Sequence, residues 1–143
     1  MKARIKWIEG AAWLAESDSG HGTIIDGSPD IGGRNLGPRP MELVLQALGG
    51  CTAMDVIEIL RKQRQDVTDC VIEVRGERAD TIPRVFTHLH VQYTVTGRAL
   101  KPAAVERAVQ LSAEKYCSVS RMLAGSVQIT HGWTAVEAGA AAD

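Results

Sequence analysis

The chain has 143 residues, a formal net charge of −1, 23% charged residues, 45% in the AVILMFWYC set and only 4% aromatic residues. This suits one ordinary domain with a packed core and argues against intrinsic disorder. Near-neutral charge and few aromatic rings leave no electrostatic or stacking case for nucleic acid or an anionic membrane as the main partner.

Taken in chain order, the first forty residues read as a β-rich arm. Ala3, Ile5 and Trp7 alternate with Lys2, Arg4 and Lys6, the period of a half-buried strand. Glu9-Gly10 suggests a turn, and residues 11–16 and 22–25 supply two more short strands. The opening decapeptide MKARIKWIEG lacks the apolar core of a signal peptide. From Asp26 to Pro40 the density of glycine and proline means a loop.

Pro40 then opens a helix, as a first-turn proline should. Met41 to Arg64 holds no proline. Its first half is apolar nearly all round and its second half is amphipathic. At 1.5 Å per residue it would be about 37 Å long, longer than one small domain can cover on all sides. An obligate homodimer is therefore expected. No stretch reaches the ~18 apolar residues needed to span a bilayer, so a soluble, cytoplasmic protein is expected.

Two strands follow. In Asp69–Arg78, Cys70, Ile72 and Val74 share a face; in Arg84–Thr96, Val85, Leu89, Val91, Tyr93 and Val95 do. Thr81-Ile82-Pro83 makes the hairpin connection. Pro102 starts a second helix to about Tyr116, Ser118 caps a short third helix ending near Gly125, and Val127–Val136 reads as the last strand. The tail from Ala138 is expected to fray. The expectation is a single α+β domain over 1–143: arm and loop 1–40, central helix 41–64, and a β-β-α-α-β remainder 67–143, with a mainly antiparallel sheet.

Three cysteines without a CxxC pair, in a cytosolic chain, are more often catalytic, metal-binding or buried than bridged. Cys51 follows Gly49-Gly50, and each glycine in a helix interior costs about 1 kcal/mol relative to alanine. The pair implies close approach of another backbone or clearance beside the thiol, against the plainer reading of Cys51 as a small core residue. Cys117 falls between two helices, where unpaired amides favour a thiolate, with Lys115 and Arg121 nearby in sequence. Cys70 reads as core filler. His88 and His90 share a strand face at a spacing that can hold a metal, but lack a third ligand nearby. His21 and His131 stand alone. Glu42 either favours the positive helix end or pairs with an arginine, for which Arg34 and Arg39 are in reach. Trp7, Trp13 and Trp133 are core or dimer-interface residues.

Pro40-Met41-Glu42-Leu43-Val44-Leu45-Gln46-Ala47-Leu48-Gly49-Gly50-Cys51 resembles the central-helix cysteine motif of the OsmC/Ohr family, and Glu114-Lys115-Tyr116-Cys117-Ser118-Val119-Ser120 its second cysteine motif. The order of elements matches over nearly the whole chain. Gly-Gly-Cys-Thr-Ala is closer to the OsmC-like branch than to the dedicated organic-hydroperoxide branch. The resemblance implies an OsmC-like α+β fold, an intertwined homodimer, and thiol-dependent reduction of organic hydroperoxides in oxidative-stress defence. By position Cys51 is the peroxidatic thiol and Cys117 the resolving one, with an external dithiol as reductant and no metal or other cofactor. The family's peroxidases align an arginine on the thiolate through a glutamate directly after the helix-opening proline. Here that position is Met41, with Glu42 one residue later, and the turn Glu9-Gly10-Ala11-Ala12 carries no arginine. This departure supports a second reading, a non-catalytic dimer acting as redox sensor or apolar-ligand binder.

Overall fold

A computed structural model describes residues 1–139. The chain forms two compact units, 1–44 and 45–143, whose boundary falls inside the long helix.

In the first unit β1 (Ala3–Glu9), β2 (Ala12–Ser17) and β3 (Gly22–Ile25) form an antiparallel sheet in that order. Gly10, at φ 52°, takes the left-handed conformation that the β1–β2 turn needs. The half-buried face expected of β1 is not buried in this chain: all seven residues are exposed, including Ile5 at 54% and Trp7 at 58%. The loop that follows is organised by Asp26, only 1% exposed, whose carboxylate accepts backbone N–H bonds from Gly27 (2.8 Å), Arg34 (2.9 Å) and Leu36 (3.1 Å). Those bonds from Leu36 and Arg34 hold its pKa below the usual carboxylate value. Gly33 lies against the Gly27 carbonyl, and a Cβ there would come within 1.8 Å of that oxygen, so no other residue fits.

The helix α1 (Pro40–Lys62) begins at its proline. Glu42 accepts the Arg39 backbone N–H at 2.9 Å and the Arg39 guanidinium at 3.3 Å, closing the glutamate half of a capping box. In the second unit, Leu48, Thr52, Val56 and Leu60 form one buried stripe along α1 at four-residue spacing. By length and composition α1 is apolar enough to cross a membrane, which corrects the sequence expectation that no segment qualifies. The buried stripe is that of a core helix, laid against a sheet.

That sheet has the order β4-β5-β6, with β4 (Asp66–Arg78), β5 (Phe86–Arg98) and β6 (Gln128–Glu137). The β4–β5 pair is antiparallel, with Cys70 opposite Val95 and Ile72 opposite Tyr93. The β5–β6 pair is parallel. The sheet is therefore mixed. A parallel return needs a crossover, here the helical stretch between the two strands. In β5, Leu89, Val91, Tyr93 and Val95 alternate inward and are fully buried against α1 and against Val105, Ala108 and Val109 of α2 (Pro102–Leu111).

The second helix was expected to run unbroken to Tyr116. Its α-helical part ends at Leu111, and Ser112–Tyr116 is wound as a π-type turn, a form common at functional sites. The turn ends in the extended backbone of Cys117. The residue capping α3 (Ser118–Leu123) is Cys117 rather than Ser118: its Sγ accepts the Ser120 N–H at 3.3 Å.

Candidate dithiol site

Cys51 and Asp55 lie one turn apart on α1, and i,i+4 spacing puts them on one face. The π-type turn delivers Cys117 to that face. The sulfurs of Cys51 and Cys117 and a carboxylate oxygen of Asp55 all lie within 4.8 Å of one another. No disulfide joins the sulfurs: Cys51, Cys70 and Cys117 are free thiols. Cys117 is fully buried, while Cys51 and Asp55 are half-buried.

The electrostatics differ from those expected of a thiol at a helix start. The Ser120 amide does stabilise a Cys117 thiolate, but burial acts against it more strongly. The adjacent Cys51 thiol and the Asp55 carboxylate add to that, and the Cys117 pKa is pushed up to about 12. Among the described residues, the main groups acting on it include no cation. Lys115 turns instead to the Tyr116 ring, its Nζ 5.2 Å from the centroid.

Behind the thiols runs a buried chain of polar groups. Ser112 Oγ donates to Asp55 Oδ2 at 3.0 Å. Its one hydrogen used, Ser112 accepts from Thr52 Oγ1 at 2.7 Å, and Thr52 in turn accepts from the Tyr93 hydroxyl at 2.7 Å. Tyr93 then accepts from His131 Nδ1 at 3.1 Å, which fixes that nitrogen as the protonated one. Burial, then His90, lowers the His131 pKa, so the ring is held neutral. Burial raises the Tyr93 pKa to about 12. Among the described residues no buried side-chain polar atom lacks a partner.

Two cavities adjoin this chain. One of about 370 Å³ is lined by Asp55, Ile59, Leu111 and Tyr116 among others. The other, about 630 Å³, is lined by His131, Trp133, Val109 and Ser120 among others.

The remaining candidates fall elsewhere. Cys70 packs at the margin of the core, its pKa raised by burial and then by Asp69. His88 Nε2 and His90 Nδ1 both meet Thr130 Oγ1, at 3.1 and 2.9 Å, and are not joined by a third ligand among the described residues. In the first unit Arg34 pairs with Glu9 and Arg39 with Glu42. Glu42 is thus a capping residue, its pKa lowered chiefly by the Arg39 amide. Trp133 packs on the core, whereas Trp7 and Trp13 are exposed in this chain. No sequence motif marks Asp55, Thr52 or Ser112, and His131 stands alone in the sequence. The one available signal was the four-residue spacing of Cys51 and Asp55; the others meet only through the tertiary fold.

Comparison with known proteins agrees with this architecture. The OsmC-like protein family model matches residues 32–132. Protein YhfA of Escherichia coli is 53% identical over 138 residues, covering 96% of this chain and 100% of that protein. The crystal structure of a hypothetical protein from Aquifex aeolicus superposes with a TM-score of 0.84 at 29% identity, covering 95% of this chain and 96% of the other. The organic hydroperoxide resistance protein OhrB of Bacillus subtilis shares the fold, with a TM-score of 0.64 at 19% identity over 94% of this chain and 98% of its own. By the span of the family match, the identity to YhfA and the shared α+β fold, the chain belongs to the OsmC-like family of the OsmC/Ohr proteins.

Proposed function

We propose that this protein reduces organic hydroperoxides through a Cys51/Cys117 dithiol–disulfide cycle in oxidative-stress defence. It would act as a cytoplasmic homodimer reset by an external dithiol. The observation that carries this reading is the convergence of two free sulfurs from distant parts of the sequence to within 4.8 Å. A disulfide needs them at about 2.05 Å, a local movement rather than a refolding. The fold shared with organic hydroperoxide resistance proteins supports the same reading.

The surroundings divide the roles. With its pKa near 12, Cys117 is thiolate in about one molecule in ten thousand at pH 8, and it is shut away from solvent. Cys51 is half-exposed and meets the peroxide first. Its sulfur attacks the peroxide, the O–O bond breaks, and Cys51-SOH and an alcohol form. The Cys117 thiol then displaces the hydroxyl as water, giving the disulfide. Thiol exchange with the external dithiol returns both thiols. No flavin or metal takes part in this cycle.

The test is turnover of cumene hydroperoxide with a dithiol, together with peptide mapping after one equivalent of peroxide. Cys51→Ser should abolish turnover. Cys117→Ser should stop at a dimedone-reactive Cys51 sulfenic acid. A bridge that maps to Cys70, or full turnover in Cys51→Ser, would refute the cycle.

A second reading, a redox sensor or apolar-ligand binder on the same dimer, is favoured by one observation. Arg34 and Arg39 are engaged by Glu9 and Glu42, and the charged group beside the sulfurs is the Asp55 carboxylate. A carboxylate opposes thiolate formation. Cys51 labelling by iodoacetamide no faster than a free thiol at neutral pH, with no peroxide turnover, would select this reading.

A further inference from the structure

The Cys51–Asp55–Cys117 cluster poses an electrostatic problem that peroxide chemistry leaves open. Two thiols and a carboxylate converge within 4.8 Å, one of them fully buried. The Cys51 thiol and the Asp55 carboxylate both lie against the Cys117 sulfur and disfavour a charge on it. The triad gathers two sulfur donors and one carboxylate oxygen at one point. It is well suited to surround a positive ion, because one divalent charge offsets the mutual repulsion of all three ligands.

The geometry agrees. Tetrahedral zinc holds thiolate sulfur at about 2.3 Å and carboxylate oxygen at about 2.0–2.2 Å, so its ligand atoms stand about 3.5–3.8 Å apart. Atoms already within 4.8 Å of one another reach that spacing with shifts of about 1 Å or less. Cys51 and Asp55 come from one rigid helix at four-residue spacing, and Cys117 from a separate turn, so the site closes on fixed elements.

An outer shell is also in place. Ser112 Oγ donates to Asp55 Oδ2 at 3.0 Å and is itself fully buried. The Ser120 amide donates to Cys117 Sγ at 3.3 Å. These are the contacts that orient metal ligands in built sites. Of the three, Asp55 lines the open cavity of about 370 Å³ shared with Leu111 and Tyr116. Two sulfurs and one oxygen favour a thiophilic ion such as zinc over calcium or magnesium.

We propose that Cys51, Asp55 and Cys117 form a binding site for a thiophilic divalent cation of the zinc class, occupied when both cysteines are reduced. In the binding step two thiol protons leave for solvent, two sulfur–metal bonds and one oxygen–metal bond form, and nothing is oxidised. The fourth position stays open for water or another ligand. Oxidation of the two cysteines to a disulfide removes two of the three ligands, so metal and disulfide are mutually exclusive. The site would stand whether or not the protein turns over peroxides.

The experiment is a cobalt(II) titration of the reduced full-length protein, followed by displacement with zinc. The expected result is one equivalent of cobalt bound with a thiolate-to-cobalt charge-transfer band in the near ultraviolet. That band should be absent in Cys51→Ser and unchanged in Cys70→Ser. Asp55→Asn should weaken cobalt binding at least tenfold, and Ser112→Ala about 10- to 100-fold. Prior oxidation of the dithiol should abolish the band. Circular dichroism of Cys51→Ser and Asp55→Asn, both at half-buried positions, separates loss of the site from loss of the fold. A titration with no charge-transfer band, or a band that survives Cys51→Ser, overturns the proposal.

Discussion

Thr52 follows Cys51 directly and is turned into the core, only 1% exposed. Its hydroxyl is the middle link between Tyr93 and Ser112, at 2.7 Å to each. Valine in its place keeps the volume and removes both hydrogen bonds. The buried Tyr93 and Ser112 hydroxyls then each lose a partner, and an unsatisfied buried polar group costs about 1–3 kcal/mol. Thr52→Val should therefore lower unfolding stability by about 2 kcal/mol in urea melts, with no change in denaturant sensitivity. A change below about 0.5 kcal/mol would mean that the polar chain contributes nothing net. At this scale the two cysteines were legible, because each sits in a distinctive local motif. Asp55 was not: read in sequence it is one of several charged residues on the polar side of an amphipathic half-helix. Nor was the high pKa of Cys117, because the helix-start amide is a local feature whereas the burial that outweighs it is set by the fold.

The glycine pair of α1 shows how an element can be read correctly and still explained only in part. The sequence demands a reason for two helix-interior glycines. The structure supplies one for Gly49 alone. A Cβ on Gly49 would stand 3.2 Å from Val74 Cγ2 of β4, so helix and strand pack more closely than alanine permits. A Cβ on Gly50 would meet nothing within 4 Å in this chain. The two alanine substitutions should therefore differ in effect. Gly50→Ala gains helix propensity and should stabilise by about 0.5–1 kcal/mol. Gly49→Ala must displace Val74 and should be neutral or destabilising by about 1 kcal/mol. Thermal unfolding of the two variants decides it, and equal effects would show that packing against β4 is not what Gly49 serves. Elements with strong period and clear punctuation were legible: α1 at Pro40, α2 at Pro102, and the inward alternation of β5. The π-type turn and the parallel placement of β6 were not. Each depends on where the crossover must return to meet the sheet, and no local propensity encodes that.

At the scale of the molecule, the chain leaves apolar surface that its own core does not cover. The buried stripe of α1 is Leu48, Thr52, Val56 and Leu60. On other sides of the helix Met54 is 76% exposed and Ile57 38%. With Ala53 they floor an open cavity of about 400 Å³ edged by Glu58 and Arg61. In the other unit, β1 exposes Ile5, Trp7 and Ile8. Exposed apolar patches of this kind mark interaction surfaces. The length and all-round apolarity of α1 already called for more cover than one chain provides, and a second copy of this chain is the occupant that supplies a matching patch under two-fold symmetry. The expected outcome is a dimer at micromolar concentration in sedimentation equilibrium. Met54→Glu combined with Ile57→Glu places two carboxylates in that contact and should weaken association by about 2 kcal/mol or more, producing monomer at the same concentration. If the unsubstituted protein sediments as a monomer, or the double variant remains as tightly associated, the exposed face of α1 serves something other than dimerisation. The dithiol cluster would then have to work within one chain, shielded only by its own core.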